Sequence, residues 1–453
     1  MKFAYLAPLS ASPSKSSSSL AATKRLLLLL VLGGILPASV WAQQPSETVV
    51  VDKRTLQLLL QRIDQLEARV SQLEAARGVP PTVLLASAAP QANAASPPTS
   101  SQAEPEPEGP EPEKMDVNKT LLNIRGFGDF GLYGGDQKGE HTSFSLGELN
   151  LFITSNINDK TKFLTELVFE VHADNDFEED LERVLLEYSF NDYLKLSAGR
   201  YHTAIGYYNT AYHHTTWFQT TTGRPYLFAY EDEGGILPIH NVGVVASGRI
   251  PSGSLGLHYV AEVGNGRTSS SPQAEPVQNF VDENSHKSLN VALFARPEAI
   301  PGSQIGFSVY RDVLFPSNSV RIGETILDAY AVLSRSNFEW LNEGVMIRHA
   351  PLGLHVYETP GFYTQISKRF GSYRPYLRYE YVNASSNEPV FPQVGLRTGP
   401  SVGVRFSASE WVSLKLQYDY TEMRHQQAIN GNMCVQRAMC APSALGLQLG
   451  YTF

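Results

Sequence analysis

From residue 118 to the C-terminus, hydrophobic and polar positions alternate one by one in short runs separated by turn residues. In the last run, Leu445, Leu447, Leu449, Tyr451 and Phe453 share one face of an extended chain, and Ala444, Gly446, Gln448, Gly450 and Thr452 share the other. The same period sets Phe163, Leu167, Phe169 and Val171 against Glu166, Glu170 and His172, and Val184, Leu186, Tyr188 and Phe190 against Arg183, Glu187 and Ser189. It also sets Val412, Leu414, Leu416, Tyr418 and Tyr420 against Ser413, Lys415, Gln417, Asp419 and Thr421. A tilted strand of about ten residues crosses a hydrocarbon core, and this alternation gives it one lipid face and one water face. The pattern predicts an all-β fold, a transmembrane antiparallel β-barrel of about sixteen strands over residues 118–453. A soluble sandwich would show similar alternation in any one segment, so the spacing of the turns has to decide.

The connections alternate between tight and long, as a barrel with two unlike rims requires. Tight turns are expected at 156–159, 191–192, 251–253, 336–337, 371–372 and 407–409, and long links at 172–181, 201–240, 264–286, 311–324, 348–361, 383–395 and 423–442. Even parity returns both chain ends to the tight-turn rim. A barrel of this size encloses water, whereas about eight strands would be filled by side chains.

The N-terminal part reads differently. Lys24 and Arg25 precede an apolar run from Leu26 to Leu36, then small residues up to Ala42, so residues 1–42 are expected to be a secretory signal peptide. Residues 43–78 are expected to form a short α-helical coiled coil, with Leu56, Leu59, Ile63, Leu66, Val70 and Leu73 at 3-4 spacing. Arg62 and Arg69 occupy g seats, with Glu67 and Glu74 at e. Branched residues at a with Leu at d suit dimers. Against that, Arg62-Ile63-x-x-Leu66-Glu67 and Arg69-Val70-x-x-Leu73-Glu74 both resemble a signature of short parallel trimers, and the doubled motif favours the trimer. Residues 79–117 hold nine prolines and an acidic tract from Glu104 to Glu108, a composition that cannot bury a core and reads as a disordered, extended linker.

The formal charge is −9 and becomes −13 once the four cations of residues 1–42 are removed, which argues against a nucleic-acid partner. No apolar run approaches the roughly 20 residues of a membrane helix. The glycines of 126–131 match a dinucleotide fingerprint by spacing but lie in a strand, and no Gly-x-Ser-x-Gly, His-Glu-x-x-His or phosphate loop occurs. Neither an enzyme nor a bound cofactor is expected. His202, His213, His214 and His240 are poorly spaced for a metal, because adjacent residues of an extended chain point apart. Cys434 and Cys440, with five residues between them in an exported loop, are expected to form one local disulfide.

Charge separates along the predicted inner face. Glu148, Glu166, Glu170 and Glu187 fall on strands two to four, with Arg183 as the exception, and Glu231, Asp232 and Glu233 lie in the longest link. Arg369, Arg374, Arg378, Arg397, Arg405 and Lys415 fall on strands twelve to fifteen, with Glu380 and Asp419 as exceptions. Such rows bias ion passage, and an arginine cluster offers bidentate sites to carboxylate or phosphate, so small hydrophilic solutes of anionic or zwitterionic character are the expected cargo. A forty-residue link is usually functional, and this one carries Tyr207, Tyr212, His213, Trp217, Phe218 and Arg224.

The signal peptide, the heptads, the proline linker, the alternating strands and a terminal Phe453 preceded by Tyr451 together resemble trimeric outer-membrane porins with an N-terminal periplasmic coiled coil. The whole is similar to the DcaP-like group and, more distantly, to the phosphate-selective porins. The passage from Gly199 to Gly206 also looks like the strand-to-loop passage of many bacterial porins. The resemblance implies a homotrimer in the lipid of the bacterial outer membrane, with its stalk in the periplasm. It also implies passive diffusion of solutes, a third outer loop (201–240) folded into the lumen as a constriction, and recognition of the C-terminal strand by the barrel-assembly machinery. The alternative function is a structural or adhesive anchor whose stalk tethers the envelope.

Overall fold

The computed structural model describes residues 122–136, 141–171, 177–212, 217–231, 234–268, 280–282, 284–316, 320–425 and 442–453, all within the compact unit Pro110–Phe453. The expected signal peptide, coiled coil and linker lie outside the described residues, as do His213, Asp232, Glu233, Cys434 and Cys440.

The strands are β1 (Leu122–Gly135), β2 (Ser143–Asn156), β3 (Thr161–Val171), β4 (Phe177–Asn191), β5 (Leu194–His202) and β6 (His240–Ile250). They continue as β7 (Leu257–Gly264), β8 (Ser288–Ala295), β9 (Ser303–Leu314), β10 (Ile322–Arg335), β11 (Phe338–Pro351) and β12 (Tyr357–Lys368). The last are β13 (Tyr373–Asn383), β14 (Leu396–Ser407), β15 (Val412–Tyr420), β16 (Glu422–Arg424) and β17 (Ser443–Thr452). Both β15 and β16 pair with β14, so they are one wall strand interrupted at Thr421, and the wall has sixteen strands. Each strand pairs antiparallel with its neighbours, and β1 bonds to β2 on one side and to β17 on the other. The sheet closes on itself and leaves no edge.

Alternation is visible in exposure. On β17, Leu445 and Leu447 are 46% and 44% exposed while Gln448 between its neighbours is 1% exposed. A row of outward Leu, Phe, Val and Ile belts the barrel, including Leu186, Val244, Phe307, Leu327 and Val402. That belt is the surface a hydrocarbon phase would cover.

The tight turns sit where expected and show their chemistry. Asn158 Oδ1 accepts from the backbone N–H groups of Lys160 and Thr161, Asn191 Oδ1 from those of Tyr193 and Leu194, and Ser409 Oγ from those of Trp411 and Val412. These side chains stand in for backbone acceptors and so favour the reversal. Gly371 takes φ 60° in its turn, a conformation costly for residues with a Cβ. A seventh turn, residues 296–302, joins β8 to β9 beyond the six expected. It contains Pro297 and Pro301 and is longer than the others, so it lacks the short polar signature.

Three links are shorter than the sequence implied: β9 runs to Leu314 and β10 starts at Ile322 inside the link expected at 311–324, and β11 runs to Pro351 and β12 starts at Tyr357 inside the one expected at 348–361, because the hydrogen-bonded ladder continues past the polar residues there. The link expected at 172–181 gives way at Phe177, where β4 begins, and Glu178, Asp180 and Glu182 become strand residues. The acidic character of Phe177–Glu182 made it read as loop. The cross-strand partners of β3 and a register shift at Glu166/Leu167 absorb it into the sheet.

Candidate functional site

The segment between β5 and β6 is built against the inner wall. After His202 the chain passes Thr203, whose hydroxyl donates to the Pro238 carbonyl at 2.7 Å and ties the two ends of the loop together. Ala204 N–H donates to Glu262 on β7 at 2.8 Å. A short helix, α1 (Tyr207–Ala211), follows, and its first free amides, those of Tyr207 and Tyr208, both donate to the Glu343 carboxylate on β11 at 2.9 Å. A helix start leaves unpaired N–H groups with a partial positive charge, and a buried carboxylate answers both.

Beyond α1, residues 217–223 run as a bent stretch along β13 to β17. Arg405 Nη1 donates to the Gln219 carbonyl at 2.9 Å, Lys415 Nζ to the Thr221 carbonyl at 2.8 Å and Arg378 Nη1 to the Gly223 carbonyl at 2.8 Å. These carbonyls are two residues apart, on a stretch that bends at residues 220–223. The intervening Thr222 uses its own backbone differently: its N–H donates to Gln417 Oε1 at 3.1 Å, and its carbonyl accepts from Gln448 Nε2 at 3.1 Å. Charged donors make the stronger kind of hydrogen bond, and here they satisfy a stretch of backbone that has no strand neighbour.

The loop then buries an apolar face. Ile205, Tyr208, Leu227, Phe228, Ile236, Leu237 and Ile239 pack with inward residues of β9 to β13, among them Tyr310, Leu314, Ile322, Ile326, Leu341, Val345, Ile347, Tyr363 and Val382. The link between β13 and β14 joins the same cluster through Ala384, Val390, Phe391 and Val394. Arg224 organises the turn between these parts. Its Nε donates to the Phe228 carbonyl, its Nη1 to the Tyr230 hydroxyl and its Nη2 to Asn209, and it lies 4.2 Å from the Tyr230 ring centre. Burial raises the Tyr208, Tyr212 and Tyr230 phenols above their ordinary range and keeps them neutral.

Two imidazoles fasten the inward segments. His240 lies between Glu231 at 3.0 Å and Glu182 at 2.7 Å, and Glu182 also faces Arg200 at 3.6 Å. Burial pushes the Glu231 carboxyl up, but His240 and the backbone N–H groups it accepts from hold it below the usual carboxylate value. His349 on β11 lies between Glu388 of the β13–β14 link and Glu324 on β10, which also pairs with Arg267 at 3.1 Å.

The residues singled out in the sequence fall in several places. Arg378 and Lys415 are buried at 4% and 0% exposure and hold the loop. Arg405 does the same, and its guanidinium lies 5.4 Å from the Trp217 ring. Arg397 lies 4.1 Å from the Tyr226 ring, and Arg374 faces Glu339 at 3.9 Å. Arg369 stands just beyond β12, exposed at the tight-turn rim, with its Nε donating to the Gly371 carbonyl. Of the acids, Glu166 is fully buried and bonds Arg183 and Asn150, while Glu148, Glu170 and Glu187 are half-buried. Glu231 bonds His240, Tyr207 meets Tyr212 and Tyr330 edge-on or tilted, and the Tyr212 hydroxyl donates to Glu339 at 3.3 Å.

Several residues of the site had no signal in the sequence. Glu343, Glu339, Glu262 and Asp328 are inward acids on β7, β10 and β11, isolated among apolar neighbours along the chain. Asp129 likewise carries no signal in the sequence, because a register shift next to it breaks the alternation of β1. Its carboxylate accepts from Glu148 N–H and from Gln448 Nε2.

No family model matches the sequence, and no curated protein does. Among solved structures, OmpF from Salmonella typhi, in complex with daunomycin, aligns over 73% of this chain and 97% of its own at 9% identity and a TM-score of 0.50. The outer membrane channel DcaP of Acinetobacter baumannii aligns over 74% of this chain and 98% of its own at 10% identity, TM-score 0.49. An anion-selective porin from Comamonas acidovorans aligns over 74% and 100% at 10% identity, TM-score 0.49. At such identities the likeness concerns the fold, and the fold is that of bacterial outer-membrane porins.

Proposed function

We propose that this chain is an outer-membrane porin through which small hydrophilic solutes diffuse passively, with the loop between β5 and β6 narrowing the pore. The observation that carries the reading is the loop's anchorage. Its carbonyls at Gln219, Thr221 and Gly223 are held by Arg405, Lys415 and Arg378 from the inner face of a closed, outwardly apolar barrel. A polar interior inside an apolar belt is what a water-filled passage through lipid needs, and a loop fixed to its wall sets the width. The heptads of residues 56–73 support a homotrimer with a periplasmic stalk, and the alternating strand ending at Phe453 supports insertion through the assembly machinery.

The test is direct. Purified protein added to a planar bilayer should give discrete conductance steps, and a folded barrel that gives none would sink the proposal. An arginine cluster open to the lumen would offer bidentate sites to anionic solutes, but Arg378 and Lys415 spend donors on the loop.

A further inference from the structure

Four inward side chains stand in one row across the first strands. Arg125 on β1 is opposite Phe152 on β2, Phe152 is opposite Glu166 on β3, and Glu166 is opposite Arg183 on β4. Leu122 and Ile124 are 60% and 59% exposed on the outer face, so Arg125 and Phe127, at the alternate positions, face the lumen. Phe127 meets Phe218 of the β5–β6 loop at 4.9 Å between ring centres, tilted by 53°. These residues and Thr154 line a recess of about 650 Å3, within the size range of sites for small molecules. Phe218 is 42% exposed, and a solute with an apolar body would take such surface out of water.

The charges around the recess leave one cation over. Glu166 is fully buried and both its oxygens are engaged: Oε1 accepts from Asn150 at 2.7 Å and Oε2 from Arg183 at 2.6 Å. Arg183 thereby cancels its charge, and the Arg183 guanidinium lies 5.4 Å from the Phe152 ring centre. Arg125 is exposed and has no hydrogen bond or ion pair among the described residues. Toward the tight turns, Glu187 lies 3.9 Å from Lys195 and opposite Lys162, so those three groups also sum to a positive charge. Asp129 and Glu148 stand four residues beyond Arg125 and Phe152 along their strands, about 13 Å away and past a Debye length of about 8 Å. Resting on the porin reading for its access from water, we propose that the recess is a binding subsite for small solutes that carry a flat apolar ring and one carboxylate. The ring packs against Phe127, Phe152 and Phe218, and the carboxylate takes paired N–H bonds from Arg125, whose planar fork matches it. An ammonium in the same place would face two guanidinium groups.

The experiment is titration calorimetry of the full chain in detergent with sodium benzoate, alongside planar-bilayer recording. Benzoate should bind at least about tenfold more tightly than acetate, which lacks the ring, and than benzylammonium, which reverses the charge. Arg125→Gln should weaken benzoate about tenfold or more, and Arg125→Lys less. Arg125 has no partner among the described residues to lose, so folding is expected to hold. Phe152→Leu should weaken benzoate severalfold through the lost ring contact. Lys195→Gln, which removes an inward cation outside the recess, should leave the affinity as in wild type. No binding of benzoate, acetate or benzylammonium binding as tightly as benzoate, undiminished affinity in Arg125→Gln, or an equal loss in Lys195→Gln would each overturn the subsite, while discrete conductance steps would still uphold the pore. Benzoate binding to a folded barrel that gives no steps would overturn the porin reading and leave the recess as a site.

Discussion

Lys415 Nζ donates to the Thr221 carbonyl at 2.8 Å, 194 residues away along the chain, from a side chain with no exposed surface. A fully buried ammonium is expensive unless hydrogen-bonded, so the contact fixes the loop and the lysine together. Replacing Lys415 with Met keeps the volume and removes the donor. The Thr221 carbonyl is then left buried without that partner, at about 1–3 kcal/mol. The loop should become at least about fivefold more sensitive to protease at equilibrium, while the barrel remains intact. Equal cleavage rates in variant and wild type would show that the anchor is dispensable.

Arg378 separates positioning from charge. Its Nη1 reaches both the Thr221 hydroxyl and the Gly223 carbonyl, and its Nε faces Glu380. Arg378→Lys preserves the charge and loses the fork geometry, because an ammonium cannot present planar paired donors. Single-channel conductance should change and current noise should rise, with the ion preference kept. A change in ion preference without a change in conductance would assign Arg378 an electrostatic role instead.

How much of this could be read from the chain depends on the range of the interaction. The alternation of Leu445 to Phe453 and the Asn and Ser turn residues are local, and they gave the barrel and six of its turns. Where local signals conflict, the sequence misleads. Glu178 and Asp180 looked like loop because of their charge, although Val168 and Glu170 across the sheet make them strand. The arginines were correctly placed on the inward face by period. That their donors would be used by Gln219, Thr221 and Gly223 depends on a loop folding back across about 150 to 200 residues, which no short-range pattern carries. Glu343 was missed for the same reason, since its partners are the amides of Tyr207 and Tyr208.

Glu343 should be the most sensitive point of the helical part of the loop. Its carboxylate takes two backbone N–H bonds and faces the Tyr363 hydroxyl at 3.3 Å. Glu343→Leu removes every acceptor and leaves two buried donors without partners, at about 1–3 kcal/mol each. Glu343→Gln keeps one oxygen. Thermal unfolding in detergent should therefore rank wild type above Gln and Gln above Leu; a Leu variant as stable as wild type would show that α1 is held by its apolar packing alone.

Acid should loosen the far end of the loop. Glu231 has its carboxyl held below the usual value by His240 and backbone N–H groups despite burial. A depressed carboxyl stabilises the folded loop above its unfolded pKa, and that contribution is lost as pH falls through the folded pKa, so the window opens below about pH 4.5. Between pH 7 and 5 conductance should be steady as far as this group is concerned, and below that closures or noise should appear. Glu231→Gln should show the disturbed behaviour already at neutral pH and respond less to acid; an unchanged acid response in that variant would place the titrating group elsewhere.

The heptads and the barrel make separable demands. Leu56, Leu59, Ile63, Leu66, Val70 and Leu73 would supply an assembly seam, whereas the described strands close through the pairing of β1 with β17. Deleting residues 43–117 should leave a barrel that inserts and conducts, with unchanged step size per pore. Cross-linking before and after the deletion reads the trimer directly. If the stalk drives assembly, the cross-linked trimer should fall sharply, and if outward barrel faces suffice, it should persist. Loss of conductance in a truncated barrel that still folds would contradict the porin reading and favour a tether, because a diffusion pore needs its wall and its loop but not its stalk.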